Sequence, residues 1–149
     1  MTLKQGSAVE VLKSAHARVL EMFDKYDSKL SAGDKEKVLA DVAFELSVMS
    51  VLEIEVFYPA IRDAEGISVE RFIENHDQVK IMTAQVQRLM GDEAEFDSQF
   101  QELRNLVKKH FTEEEQDLFP ALEKSSVDLN QLGEGLNKKR EDVTAKISF

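Results

Sequence analysis

The chain has three histidines, and each fills an equivalent slot of an internal repeat. Residues Met49 to Ile61 read MSVLEIEVFYPAI, and His110 to Leu122 read HFTEEEQDLFPAL. With Glu53 set on Glu114, Pro59 falls on Pro120, Phe57 on Leu118 and Met49 on His110. His16 precedes the first segment, and His76 the second, at almost the same distance. A histidine and a glutamate four residues apart share one helix face, so one helix can supply two ligands. Imidazole and carboxylate without sulfur suit iron, manganese or zinc. A duplicated pattern of this kind is what a two-metal site between paired helices needs. The fourth histidine slot holds Met49, which reads first as a core filler.

Helices have to position these groups. Gly is scarce, Pro occurs twice, and no segment alternates long enough to read as a strand. The first helix opens at Ser7, in a capping box with Glu10, and runs to about Leu30, where Ser31, Ala32 and Gly33 break it. The second starts from Asp34 as N-cap, reaches Asp63 or Ala64 and stops at Gly66. The third spans Ser68 to Gly91, and the fourth about Ala94 to Lys124. A polar fifth helix, with Gly133 and Gly135 inside it, spans about 128–147. Short connections make neighbours antiparallel. The expected fold is all-α: an up-down-up-down four-helix bundle with a pseudo-twofold repeat and a short C-terminal helix. One domain would cover 1–149, with the bundle at about 7–125.

Apolar residues spaced three and four apart define the inward seams. Val9, Leu12, His16, Val19, Phe23, Tyr26 and Leu30 form the first, and Val42, Leu46, Met49, Glu53, Val56 and Ala60 the second. Phe72, His76, Val79, Val86 and Met90, with Thr83 between them, form the third. The fourth holds Phe96, Phe100, Leu103, Val107, His110, Glu114 and Ala121. Each central seam thus turns one or two polar groups inward. An ionised carboxylate buried without partners costs several kcal/mol, and Lys and Arg fall mostly outside these seams. A metal ion would relieve the cost of Glu53 and Glu114 together. Glu55, Glu102, Glu113 and Glu115 read as solvated face, Phe57, Tyr58 and Phe119 as packing, and Pro59 and Pro120 as points where helices bend or end.

Composition excludes other chemistry. With no cysteine there is no disulfide, thiolate metal site or thiol catalysis. The net charge of -10 opposes nucleic acid and anionic membranes. The start, MTLKQGSAVEV, lacks the apolar run of a secretion signal, and no 18-residue apolar stretch exists, so a cytoplasmic protein is expected. No nucleophile–base arrangement, phosphate-binding Gly loop or cofactor fingerprint is visible, which argues against an ordinary enzyme.

The stretch LSVMSVLEIEVFYPAIRDA resembles the second helix of the hemerythrin HHE cation-binding family, and HFTEEEQDLFPAL its fourth. The resemblance covers roughly the first 125 residues. It implies a bundle around a non-haem di-iron centre, with His16, Glu53, His76, His110 and Glu114 as ligands and the two glutamates bridging. The family expects histidine where Met49 stands and often a further Glu at Ile54. The half built by His16 and Met49 is therefore poor in nitrogen, while that of His76 and His110 is intact. Glu45, one turn before Met49, is an alternative ligand for the poor half.

Three outcomes follow. The favoured one is a metal protein of hemerythrin type holding one or two irons, or another divalent ion such as Zn or Mn. It would bind or sense O2, NO or peroxide, or handle iron, through open positions on the poor half. The second is a degenerate bundle that has lost the centre and acts as an interaction module. The third, a haem site through Met and His, comes last because two central glutamates would clash with a porphyrin.

Overall fold

A computed structural model describes residues 6–64 and 66–147, and every regular element among them is helical. Helix α1 spans Ala8–Phe23 and α2 spans Ala32–Val51. The second helix then passes through a π-helical stretch, π1 (Leu52–Phe57), into the short α3 (Tyr58–Ile61). Helix α4 spans Glu70–Gln87. Helix α5 (Ala94–Glu113) runs through a second π-helical stretch, π2 (Glu114–Leu118), into α6 (Phe119–Glu123). Helix α7 covers Leu129–Ile147. The helices form one bundle: α1 packs on α2, α5 and α7, and α4 packs on α5 and α2.

Local chemistry sets the ends. The Ser7 hydroxyl accepts from the Glu10 backbone N–H, capping α1 as its sequence predicts. Helix α1 stops at Phe23 rather than Leu30, and an Asx turn follows in which Asp27 accepts from the Lys29 backbone N–H. Tyr26 lies beyond the helix end yet still packs inward, on Phe96 and Phe100, and donates to Asp97. Ser31, expected as a breaker, caps α2 by accepting from Asp34 N–H, so α2 opens two residues before Asp34. The third helix is shorter than expected at both ends, and Met90 is exposed rather than in its seam.

The main departure comes at the prolines. Pro59 and Pro120 do not end their helices. Each follows a π-helical stretch, in which Tyr58 N–H bonds the Glu53 carbonyl and Phe119 N–H the Glu114 carbonyl, five residues back. Proline lacks an N–H and its ring collides with the carbonyl four residues earlier; a wider turn just before it relieves the clash. The extra residue rotates the following face by one position. Phe57, Tyr58 and Ile61 are buried where α-helical spacing places Val56 and Ala60, and Leu118, Phe119 and Leu122 are buried instead of Ala121.

The C-terminal helix belongs to the packing of the bundle. Helix α7 lies on α1, α2 and π1, and Leu136 is fully buried. Gly133 is the close-approach point, since a Cβ there would collide with the Gly6 carbonyl oxygen. Arg140 of α7 and Arg18 of α1 both donate to Oε1 of the buried Glu45, each at 3.0 Å. That corrects the expectation that Glu45 is a spare metal ligand: two guanidiniums already neutralise it and tie three helices together.

Candidate metal centre

The bundle core gathers the five residues singled out above. His16, Glu53, His110 and Glu114 are buried, and the His76 side chain is 10 % exposed. They form two groups that share a carboxylate. Glu53, His76 and His110 make one, and His16, Glu53 and Glu114 the other, with ligand atoms in each group within 4.8 Å of one another. Four of the five long helices contribute, α7 being the exception: α1 carries His16, π1 Glu53, α4 His76, α5 His110, and π2 opens at Glu114.

The hydrogen bonds are unequal. His16 uses both ring nitrogens, with Nε2 at 3.1 Å from Glu114 Oε1 and Nδ1 at 2.8 Å from Glu115 Oε2. Its ring stacks on Phe111, centroids 3.9 Å apart. His76 Nε2 lies 3.1 Å from Glu53 Oε1. Neither ring nitrogen of His110 has a partner, although both are buried; Glu114 Oε1 lies 3.6 Å from Nε2, outside hydrogen-bond reach. The Tyr58 hydroxyl sits between the carboxylates, 2.6 Å from Glu114 Oε2 and 3.1 Å from Glu53 Oε2.

Electrostatics follows from this arrangement. Burial opposes a charged His16, but the Glu114 and Glu115 carboxylates outweigh it and hold the imidazolium up to about 9. Burial lowers His110 to about 4 and lowers His76 as well, so both rings are neutral with lone pairs to give. Burial, with Glu53 alongside, raises Glu114 to about 7. Burial and the same two carboxylates push the Tyr58 phenol upward, so it stays a hydrogen-bond donor. One hydroxyl proton cannot serve two carboxylates; below about pH 7 a carboxyl proton on Glu114 completes the second contact. In the metal-free chain, protons on His16 and Glu114 do the work that a cation would do.

Two neutral imidazoles, one of them the partnerless buried His110, and two buried carboxylates fit a metal ion. The donors are nitrogen and oxygen, the set that suits iron, manganese or zinc. Glu115 would remain behind His16 as the acceptor for Nδ1–H, fixing the ring while Nε2 faces inward. Met49 is 3 % exposed and offers only a thioether at the slot matching His110.

Two contacts of this centre run against the sequence reading. Tyr58, expected only to pack, contacts both carboxylates. It lies five residues after Glu53, a separation that brings side chains together only across a π turn. Glu115, expected to be solvated, is partly exposed yet pairs with His16, and the signal for that lies on α1 rather than in its own helix. Glu55 does keep to the surface, paired with Lys139, whereas Glu113 is half-buried and accepts from Asn75.

Comparison with known proteins gives the family. The sequence model of the hemerythrin HHE cation binding domain matches residues 7–122 and, a second time, residues 67–139. The two matches overlap over residues 67–122. No curated protein and no solved structure matches. The match over most of the chain, together with a core of paired histidines and glutamates, places this protein in the hemerythrin HHE cation-binding domain family.

Proposed function

We propose that the chain is a non-haem iron protein of hemerythrin type that holds one or two ions and binds or senses O2, NO or peroxide, or handles iron. The observation that carries this reading is His110: a neutral imidazole buried with both nitrogens unpartnered, beside two buried carboxylates. His76 and His110 would hold one ion with Glu53, and His16 with Glu114 the other, Glu53 being common to both groups. Bound there, iron would supply reversible one-electron chemistry and coordination positions for a small ligand. The chain itself supplies burial of Glu53 and Glu114, and Tyr58, whose hydroxyl contacts both carboxylates. In the same reading the long helices run up-down-up-down, as their short connections favour.

Met49 favours a second reading for half of the centre. A buried thioether at a ligand slot is what remains when one ion is lost, and a bundle that lost both would act as an interaction module. The test is an anaerobic ferrous titration of chelator-treated protein, followed by exposure to NO, O2 and peroxide in turn. Saturable iron uptake with new absorption bands on exposure supports the first reading. No uptake overturns it in favour of the module.

A further inference from the structure

A pocket of about 420 Å³ opens between α2, α4 and α5, against the His76 and His110 side of the centre. Its deep lining includes Met49, Val107 and Phe111, all buried. Small side chains make the space: Ala43 and Ser47 on α2 and Thr83 and Ala84 on α4 all line it, and larger residues there would close it. A diatomic molecule needs about the room of one water, roughly 30 Å³. The pocket is therefore far larger than O2 or NO requires, and it falls in the range of roughly 300–1,000 Å³ typical of small organic ligands.

Its charge is also unusual for this chain. The protein has 29 Asp and Glu against 19 Lys and Arg, yet no carboxylate lines the pocket. Lys80 does line it, exposed on α4, and pairs with no carboxylate among the described residues. Ser47 and Gln87, also exposed, add hydrogen-bond donors beside it. An unpaired cation with neutral donors at the mouth, over a buried floor that is apolar apart from His76 and His110, is complementary to an amphipathic anion.

We propose that this pocket binds a small organic monoanion, its carboxylate or similar head at Lys80, Ser47 and Gln87 and its apolar body reaching toward Met49 and Phe111. Placing that body beside a metal rests on the function proposed above; the pocket and its charge do not.

The probes are benzoate and its neutral counterpart benzyl alcohol, titrated into metal-free and iron-treated protein and followed by the methyl NMR signals of Val79 and Val107, which line the pocket. Benzoate should saturate and shift those signals, binding about two- to fivefold more tightly than the alcohol, within the range of a solvent-exposed ion pair. Lys80→Met, on an exposed position, should bring benzoate down to the alcohol's affinity. Ala84→Leu should weaken both probes by filling the space. No saturable shift, equal affinity of the two probes, or benzoate binding indifferent to Lys80→Met would each overturn the proposal. Because the metal-free protein is measured too, benzoate binding without iron uptake removes only the metal reading, and iron uptake without benzoate binding removes only this one.

Discussion

Leaving a buried polar group without a partner costs about 1–3 kcal/mol, and His110 carries two such nitrogens at the centre of the core. An apolar residue would avoid that cost, so the side chain fits a site completed from outside. His16 is different: it is fully hydrogen-bonded and protonated, and must lose the Nε2 proton before it can bind an ion. Glu115 then becomes its orienting partner. We expect Glu115→Gln to weaken metal affinity by roughly ten- to a hundredfold with the stoichiometry unchanged, read by competition with a chelator; an unaltered affinity would remove Glu115 from the centre. Glu45 gives the opposite contrast. Replacing it with alanine leaves the buried Arg140 and the half-buried Arg18 facing each other without a counter-ion, a loss of about 3–5 kcal/mol in urea unfolding, while metal content stays the same. A fall in metal content would return Glu45 to the ligand set. Histidine and glutamate within apolar seams were readable from the sequence because their types contradict their surroundings. Tyr58 and Glu115 were not, since a tyrosine suits a core and a glutamate suits a surface, and only the fold shows what each one touches.

Helix existence was legible from periodicity and capping residues, and the register of the helices was legible up to Glu53 and Glu114. Beyond those two residues the α-helical count fails by one position, because each π-helical stretch inserts a residue. The same shift that accommodates Pro59 turns Tyr58 onto the carboxylates, so one local distortion serves both backbone and centre. Helix α7 was legible as a helix but not as part of the bundle: its polar composition hides Leu136 and Arg140, and its two glycines read alike. They differ in place. Gly133 touches the backbone ahead of α1, whereas a Cβ on Gly135 would meet nothing within 4 Å. Gly133→Ala should push α7 off α1 and destabilise by about 1–3 kcal/mol. Gly135→Ala should stabilise by up to about 1 kcal/mol through helix propensity. Thermal melts of the two variants would decide, and equal shifts would contradict this packing of α7.

At the scale of the whole molecule, the protons that stand in for a cation make metal-free stability depend on pH. The folded pKa of His16, about 9, lies above its unfolded value of 6.5, so its pairing stabilises fully below about pH 6.5 and is lost as pH rises through 9. The loss is roughly 3 kcal/mol. Below that window two effects oppose each other. Glu114, raised from 4.5 to about 7, costs stability as pH rises between those values, and His110, lowered to about 4, returns stability between 4 and 6.5. Urea unfolding in chelator should therefore show falling stability from pH 6.5 to 9, and bound metal should flatten that fall by replacing the His16 proton. A flat or rising metal-free profile would contradict the His16 pairing. No described helix is long and apolar enough to cross a membrane.

The most direct measurement is metal content per chain, by elemental analysis after growth in iron-supplemented medium, on the natural chain beside Met49→His. We expect at least one iron in the natural chain, held on the His76 and His110 side, with the count rising toward two once histidine stands at position 49. No metal in either protein would mean that the bundle kept its family's fold and buried its histidines and glutamates for some other purpose.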